Sequence, residues 1–405
     1  MRPVVVLIFH ADAPSGAGPL VRALAEARFE LAERQRAAFL AAGADEVDLV
    51  SGPPDGLSFG ERLVGAIRAR SGAAGGGGMA RAGAGGSGSA ATGSGRGAGG
   101  DAAGDAAVGG LIVLGSGSIP LARPADLRRF VEFAAGLGGH ALANNRYSAD
   151  VVAVSRAADL AGPPPLPTDN ALPRWLEERA GVAVADLRSR WRLSVDVDTP
   201  LDLLVLGGPA TRRIHGMAPL VGDRLAALAE VLTNRRAELL VAGRVSAATL
   251  RWLESGVACR VRALVEERGL RAASLLAQSG ATTGSRPPRS VLGELLDRDG
   301  PESLATTVAG LAEAAVIDTR VLFAHRHGTD ESMWPAAEDR FASDLLLPES
   351  ITDPWLRALT ESAAGPAAAG SVPPAPPSGP ILLGGHTLVN GGLRLLAQRA
   401  RAGKR

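Results

Sequence analysis

The sequence predicts an α/β protein made of two successive units, because strand-length apolar runs alternate with helix-length amphipathic ones along the chain. PVVVLIF, EVDLVSG, GLIVLG, DVVAVS and RLSVDV read as strands one to five. Between them, PLVRALAEARFELAERQRAAFLAAG, SFGERLVGAIRAR, PADLRRFVEFAAGLG and NALPRWLEERAG repeat apolar residues at helical spacing. The alternation resumes after about residue 215, with strands expected at AELLVAG, AAVIDTRVLFA and PILLGG. Such alternation implies a mainly parallel sheet covered on both faces, with ligands bound beyond the carboxyl ends of its strands.

Local chemistry sets the element ends. The first helix should stop at Gly43, and Ser58 with Glu61 three residues on is a capping box. Helices are expected at SAATLRWLESGVACRVRALVEERG, PESLATTVAGLAEA and DPWLRALTESA, the last with Asp353 as N-cap and Pro354 at its first position. Residues 71–107, rich in Gly and Ala, have no apolar period and read as a disordered insertion within the first unit. Residues 279–290 and the Pro-rich 361–379 read as flexible loops. The expected division is a domain over 1–210 and a second α/β domain over 215–405.

The 405 residues suffice for two domains, each with its own core. A net charge of +1 gives no global field toward nucleic acid. The single cysteine, Cys259, excludes an internal disulfide framework and a cysteine-based zinc site. No apolar run is long enough for a membrane span, and Asp12 and Pro14 interrupt the N-terminal one, so a soluble cytoplasmic protein is expected. The sequence says nothing of oligomeric state.

Asp196 and Asp198, two apart at the end of the fifth expected strand, would leave one face together. Two carboxylates there suit a hard divalent cation, Mg2+ or Mn2+, that also grips a phosphate. The same residues also read as punctuation, with Thr199 as N-cap, Pro200 at the first helical position and Asp202 at the third. The loop HADAPSGAG, with Gly16, Gly18 and then Arg22, could offer backbone amides to a phosphate, although it lacks the P-loop and dinucleotide spacings. NNRYSAD supplies Asn145, Arg146 and Tyr147 for a base or sugar, or is a solvated connection. In TDNALPRWL, Asp169 and Asn170 read as caps. In the second unit, polar groups recur at expected strand ends: Arg244 and Ser246, then Asp318 and Arg320, then His386 and Asn390. HRHGTDE adds His325 and His327 as a His-x-His pair on a strand, short of an identifiable third ligand.

Four segments in order carry a resemblance over residues 1–206: LIFHADAPSGAGPLVRAL, GLSFGERLVGAI, LGSGSIPLARPADL and DVDTPLDL. Together they resemble the nucleotidyltransferase-like glycosyltransferase-A fold, particularly small bacterial glycosyltransferase-like proteins and their guanylyltransferase-like relatives. The resemblance implies a three-layer domain that binds a nucleotide or nucleotide sugar with a divalent cation. Read from the residues, the candidate nucleotide contacts are Gly16, Gly18, Arg22, Ser118, Asn145 and Arg146, with Arg22 or Arg146 standing in for the family's basic loop, and Asp196 and Asp198 are the candidate metal ligands. The chain departs from the pattern where the family's basic loop falls on Gly18–Pro19–Leu20, and where its third-strand aspartate falls on Gly117–Ser118. Three readings follow. The chain is a divergent nucleotide-dependent transferase, or a binding or scaffold protein that kept the fold without the chemistry. Alternatively it is an enzyme whose site lies in the second unit, around Arg244, Asp318, His325, His386 and Asn390.

Overall fold

Strand β1, Val4–Ala11, is apolar on both sides: Val4, Val6 and Ile8 enter one buried cluster, and Val5 and Leu7 enter another. A strand buried twice over needs helices above and below it. The computed structural model describes residues 2–75, 109–160, 162, 166, 168–208, 211–267, 288–365 and 379–403. In it, β2 (Glu46–Gly52) and β3 (Gly110–Gly115) flank β1 in parallel. Strands β4 (His140–Ala143), β5 (Val151–Val154) and β6 (Ala183–Asp186) complete the order β2-β1-β3-β5-β4-β6.

This sheet is mixed, since β5 runs antiparallel to both β3 and β4. Strands β4 and β6, four residues each, are too short for periodicity to reveal. The fifth expected strand, RLSVDV, is corrected. Trp191–Ser194 forms a 3-10 turn, and Asp196 makes only an isolated bridge, to Ser118. Leu193, Val195 and Val197 are all buried, which produces strand-like alternation without a partner strand.

The second sheet is wholly parallel, in the order β10-β9-β7-β8, from β7 (Glu238–Gly243), β8 (Arg260–Val265), β9 (Ala314–Asp318) and β10 (Ile381–Gly384). Two expected elements divide here. The helix expected from Ser246 onward ends at Gly256, and the chain re-enters the sheet as β8. Any Cβ at position 256 would stand 2.1 Å from the Trp252 indole nitrogen, so a side chain cannot continue the helix there without displacing Trp252. The run AAVIDTRVLFA is a strand only as far as Asp318, whose carboxylate accepts from the Arg320 amide and starts the helix Thr319–His327. His325 and His327 therefore lie on a helix and not on a strand. The helix Phe59–Gly75 runs into the stretch assigned to the insertion, and Pro354–Ala364 into the last assigned loop. Residues 76–107, 279–287 and 366–378 of those segments lie outside the described residues. No helix among the described residues is long and apolar enough to cross a membrane.

The apolar cluster around the second sheet also takes in Leu20, Leu24 and Leu31 of the helix Pro19–Ala41, and Leu201 and Leu204 of the helix Pro200–Leu206. The two units thus share buried surface along the helix Pro19–Ala41. At its N-terminus, Glu338 of the helix Ala337–Asp344 accepts from the amides of Leu20 (3.0 Å) and Val21 (3.1 Å). A carboxylate from the second unit thus caps a helix of the first, where the macrodipole favours negative charge. Gly18 lets it approach, for a Cβ there would lie 2.1 Å from the Glu338 carboxyl carbon. Glu338→Ala is expected to cost about 1 kcal/mol in urea unfolding. Gly18→Ala should be destabilising alone but less so when combined with Glu338→Ala, because the clash it creates is with that side chain. Additive costs in the double variant would overturn this account.

Candidate metal centre

Asp196 and Asp198 stand where the isolated bridge to Ser118 gives way to the helix Pro200–Leu206. The punctuation expected of this segment is present. The Thr199 hydroxyl accepts from the Asp202 amide, and Asp202 Oδ2 accepts from the amides of Thr199 (2.8 Å) and Asp198 (3.0 Å). The cap uses the backbone of Asp198 and leaves its carboxylate to other partners. Strand-to-helix punctuation and ligation are therefore compatible here.

The third member comes from the other sheet. His386 follows β10, and its Nε2 lies 3.6 Å from Asp196 Oδ1. One ligand atom each from Asp196, Asp198 and His386 fall within 4.8 Å of one another, close enough to chelate a metal ion. Neighbouring groups orient all three. The Thr387 hydroxyl donates to Asp196 Oδ1, and the Asp196 amide donates to that hydroxyl at 3.3 Å. Arg28 reaches Asp198 Oδ1 with Nη2 at 2.9 Å and the Val197 carbonyl with Nε. His386 and Thr387 lead into a π turn, Leu388–Gly392, a rare conformation often found at functional positions. Its Asn390 Nδ2 donates to the carbonyls of both His386 (2.8 Å) and Arg244 (2.9 Å), and its Oδ1 accepts from the Ser246 amide at 2.8 Å. Asn390 thereby ties the β7 loop to the His386 loop. Arg244 in turn is forked onto the buried Asp318, with Nε at 2.6 Å and Nη2 at 3.1 Å.

Negative charge is crowded at this edge. Burial pushes the Asp196 carboxyl up to about 6, with the Asp198 charge adding to the rise. Desolvation pushes Asp169 up to about 6 and Asp150 well above the ordinary carboxylate range, with Asp196 contributing to both. Buried Asp202 is raised well above that range in the same way, by burial and then by Asp196 and Asp198. Asp198 goes down: desolvation opposes its charge, but Arg28 and His386 outweigh it. The strained backbone lies alongside. Ile119, next to Ser118, has φ +41°, an unusual value for a β-branched residue and one that costs of order 1–3 kcal/mol.

No protein-family profile and no curated protein matches this chain.

Of the residues singled out by sequence, Ser118, Asp196, Asp198, Arg244, Asp318, His386 and Asn390 come together, joining candidates from both units. Others do not join them. The amides after Gly18 are taken by Glu338, Gly16 forms a turn at φ +78°, and Arg22 bonds the Ala17 carbonyl beside a cleft lined by His10, Asp12 and Phe29. Asn145 Oδ1 accepts from the Tyr147 amide at 3.1 Å, and Arg146 pairs with Glu177. His325 is engaged elsewhere: its Nδ1 accepts from the Ser290 amide at 3.0 Å, leaving Nε2–H for Asp297 at 3.0 Å. Arg28 and Thr387 escape sequence reasoning. Thr387 at least adjoins a candidate, whereas Arg28 sits within an ordinary amphipathic helix, 170 residues from the carboxylate it meets.

Proposed function

We propose that the chain binds a divalent cation through Asp196, Asp198 and His386, and through that cation a nucleotide or nucleotide sugar. On this reading it is a divergent relative of the nucleotidyltransferase-like glycosyltransferase-A group whose site is completed by its second unit. The observation that carries the reading is the convergence of two carboxylates from one sheet's edge with an imidazole from the other's. The donor set fits a cation. Two hard oxygens with one imidazole nitrogen suit Mn2+ better than Mg2+, which prefers oxygen alone. The crowded charge of Asp150, Asp169, Asp196 and Asp198 is what a cation would relieve. When bound, such an ion neutralises phosphate charge and fixes the phosphate's position. The chain's own contribution is orientation, with Thr387 holding Asp196, Arg28 holding Asp198 and Asn390 holding the His386 loop. His386 also unites two of the readings the sequence leaves open, since a residue of the second unit completes a site begun in the first.

Calorimetric titration of the full chain with Mn2+ tests this. One binding event is expected, abolished by Asp198→Ala and weakened at least tenfold by His386→Ala. Nucleoside triphosphates or nucleotide sugars should raise the melting temperature further only when Mn2+ is present. Mn2+ binding that survives both substitutions unchanged would sink the proposal.

A further inference from the structure

A nucleotide bound through a cation brings phosphate charge that the protein must meet, and the first loop cannot meet it. The amides of Leu20 and Val21 already hold the Glu338 carboxylate, and Gly18 is packed against it. Of the loop's bases, only Arg22 is near, and it is exposed and turned onto the Ala17 carbonyl. The cationic group must come from elsewhere.

We infer that the second sheet supplies the anion clamp: Arg244, presented by the β7 loop and held flat by Asp318, receives a phosphoryl group of the cation-bound ligand. This rests on the cation reading above and extends it to the residue that recognises the ligand's charge. Three observations support it. Arg244 and His386 are neighbours by construction, because the single amide group of Asn390 donates to both their carbonyls, at 2.9 and 2.8 Å. The guanidinium uses Nε and Nη2 on Asp318, and its side chain stays 21% exposed while Asp318 is fully covered. That arrangement fixes the plane of the fork and leaves the Nη1 edge for a second acceptor, a geometry suited to phosphate. Finally, β7 and β9 are adjacent parallel strands, and β8 and β10 lie on their outer sides. The connections therefore diverge between β7 and β9, and such a switch point opens a crevice beyond the strand ends. Arg244 and Asp318 stand at that crevice.

Inorganic pyrophosphate is the probe, titrated calorimetrically into the full chain with and without saturating Mn2+. Arg244→Gln alone would leave Asp318 buried and unpaired, so the deciding variant is Arg244→Gln combined with Asp318→Asn, which removes both charges. Expected is unchanged Mn2+ affinity, within about threefold, with pyrophosphate bound at least tenfold more weakly than by the unaltered chain. Glu338→Gln should leave pyrophosphate binding within twofold. Unaltered pyrophosphate affinity in the double variant overturns the clamp. A gain of affinity in Glu338→Gln with no loss in the double variant overturns it too, placing the anion at the helix Pro19–Ala41 instead. If the unaltered chain shows no Mn2+ binding, the cation reading falls separately. The metal-free pyrophosphate titration then decides the clamp by the same comparison.

Discussion

Asp344→Ala is expected to lower the unfolding free energy by about 3–5 kcal/mol, the largest loss for any single side chain near the site. Arg320 meets Asp344 with both terminal nitrogens, Nη1 to Oδ1 and Nη2 to Oδ2, each at 2.7 Å. Their side chains are 9% and 0% exposed. Removing the carboxylate would strand a buried guanidinium whose remaining side-chain partner is the Thr319 hydroxyl at 2.9 Å. The two partners respond differently to the pairing. Burial outweighs Arg320 at Asp344, whose carboxyl sits above its ordinary range, while Arg320 is held more firmly charged by Asp344 despite its own burial. For a buried ion pair, the cost of desolvating both charges offsets much of their attraction. Arg320→Met together with Asp344→Leu should accordingly be neutral or stabilising, in contrast to the single change. Urea unfolding of the two variants checks both signs. A loss below about 1 kcal/mol for Asp344→Ala would mean that water reaches the stranded guanidinium. The helix that carries Asp344 also carries Glu338, so this ion pair bears indirectly on the contact between the units.

Where structure is decided locally, the sequence is readable. The capping box at Ser58 forms as expected, its amide donating to Glu61 Oε2 at 2.8 Å, and so do the Thr199–Asp202 box and the Asp353 cap with Pro354 behind it. Each depends on groups three residues apart. Direction and pairing depend on distant partners, and there the reading weakens. Nothing within VVAV shows that β5 runs against β3. Nothing in VIDTRVLFA shows that the apolar run becomes a helix after Asp318, because a continuous apolar stretch suits a buried strand and a buried helix equally. The site has the same division. Polar residues at the ends of β7, β9 and β10 mark a carboxyl edge, and DVDTP marks another. Their meeting spans 190 residues between Asp196 and His386 and follows from how the units pack along the helix Pro19–Ala41. The Glu338 cap is hidden for the same reason, since no local signal connects it to Gly18.

Asp196→Asn should make the metal-free protein more stable and the Mn2+-loaded protein less stable than the unaltered chain. With Mn2+ at about a hundred times its dissociation constant, the unaltered chain gains about 2.7 kcal/mol. Without metal, Asp196 is a buried charge facing Asp150, Asp198 and Asp202, and its carboxyl is pushed up to about 6. Asparagine removes that charge and keeps an oxygen for the Thr387 hydroxyl, so the chelated protein should gain about 1–2 kcal/mol, less than Mn2+ gives the unaltered chain. It also removes an anionic ligand, so the gain from Mn2+ should disappear. Asp198→Ala makes the control. Its side chain is 56% exposed and its ion pair with Arg28 is worth at most about 1 kcal/mol, so the metal-free stability should stay nearly level while the Mn2+ gain is lost. Unfolding curves with chelator and with Mn2+ would therefore exchange order for Asp196→Asn but not for Asp198→Ala. If Asp196→Asn instead destabilises the chelated protein, the carboxylate is held mainly as an anchor for the Thr387 turn. The crowding of charge would then no longer speak for a cation.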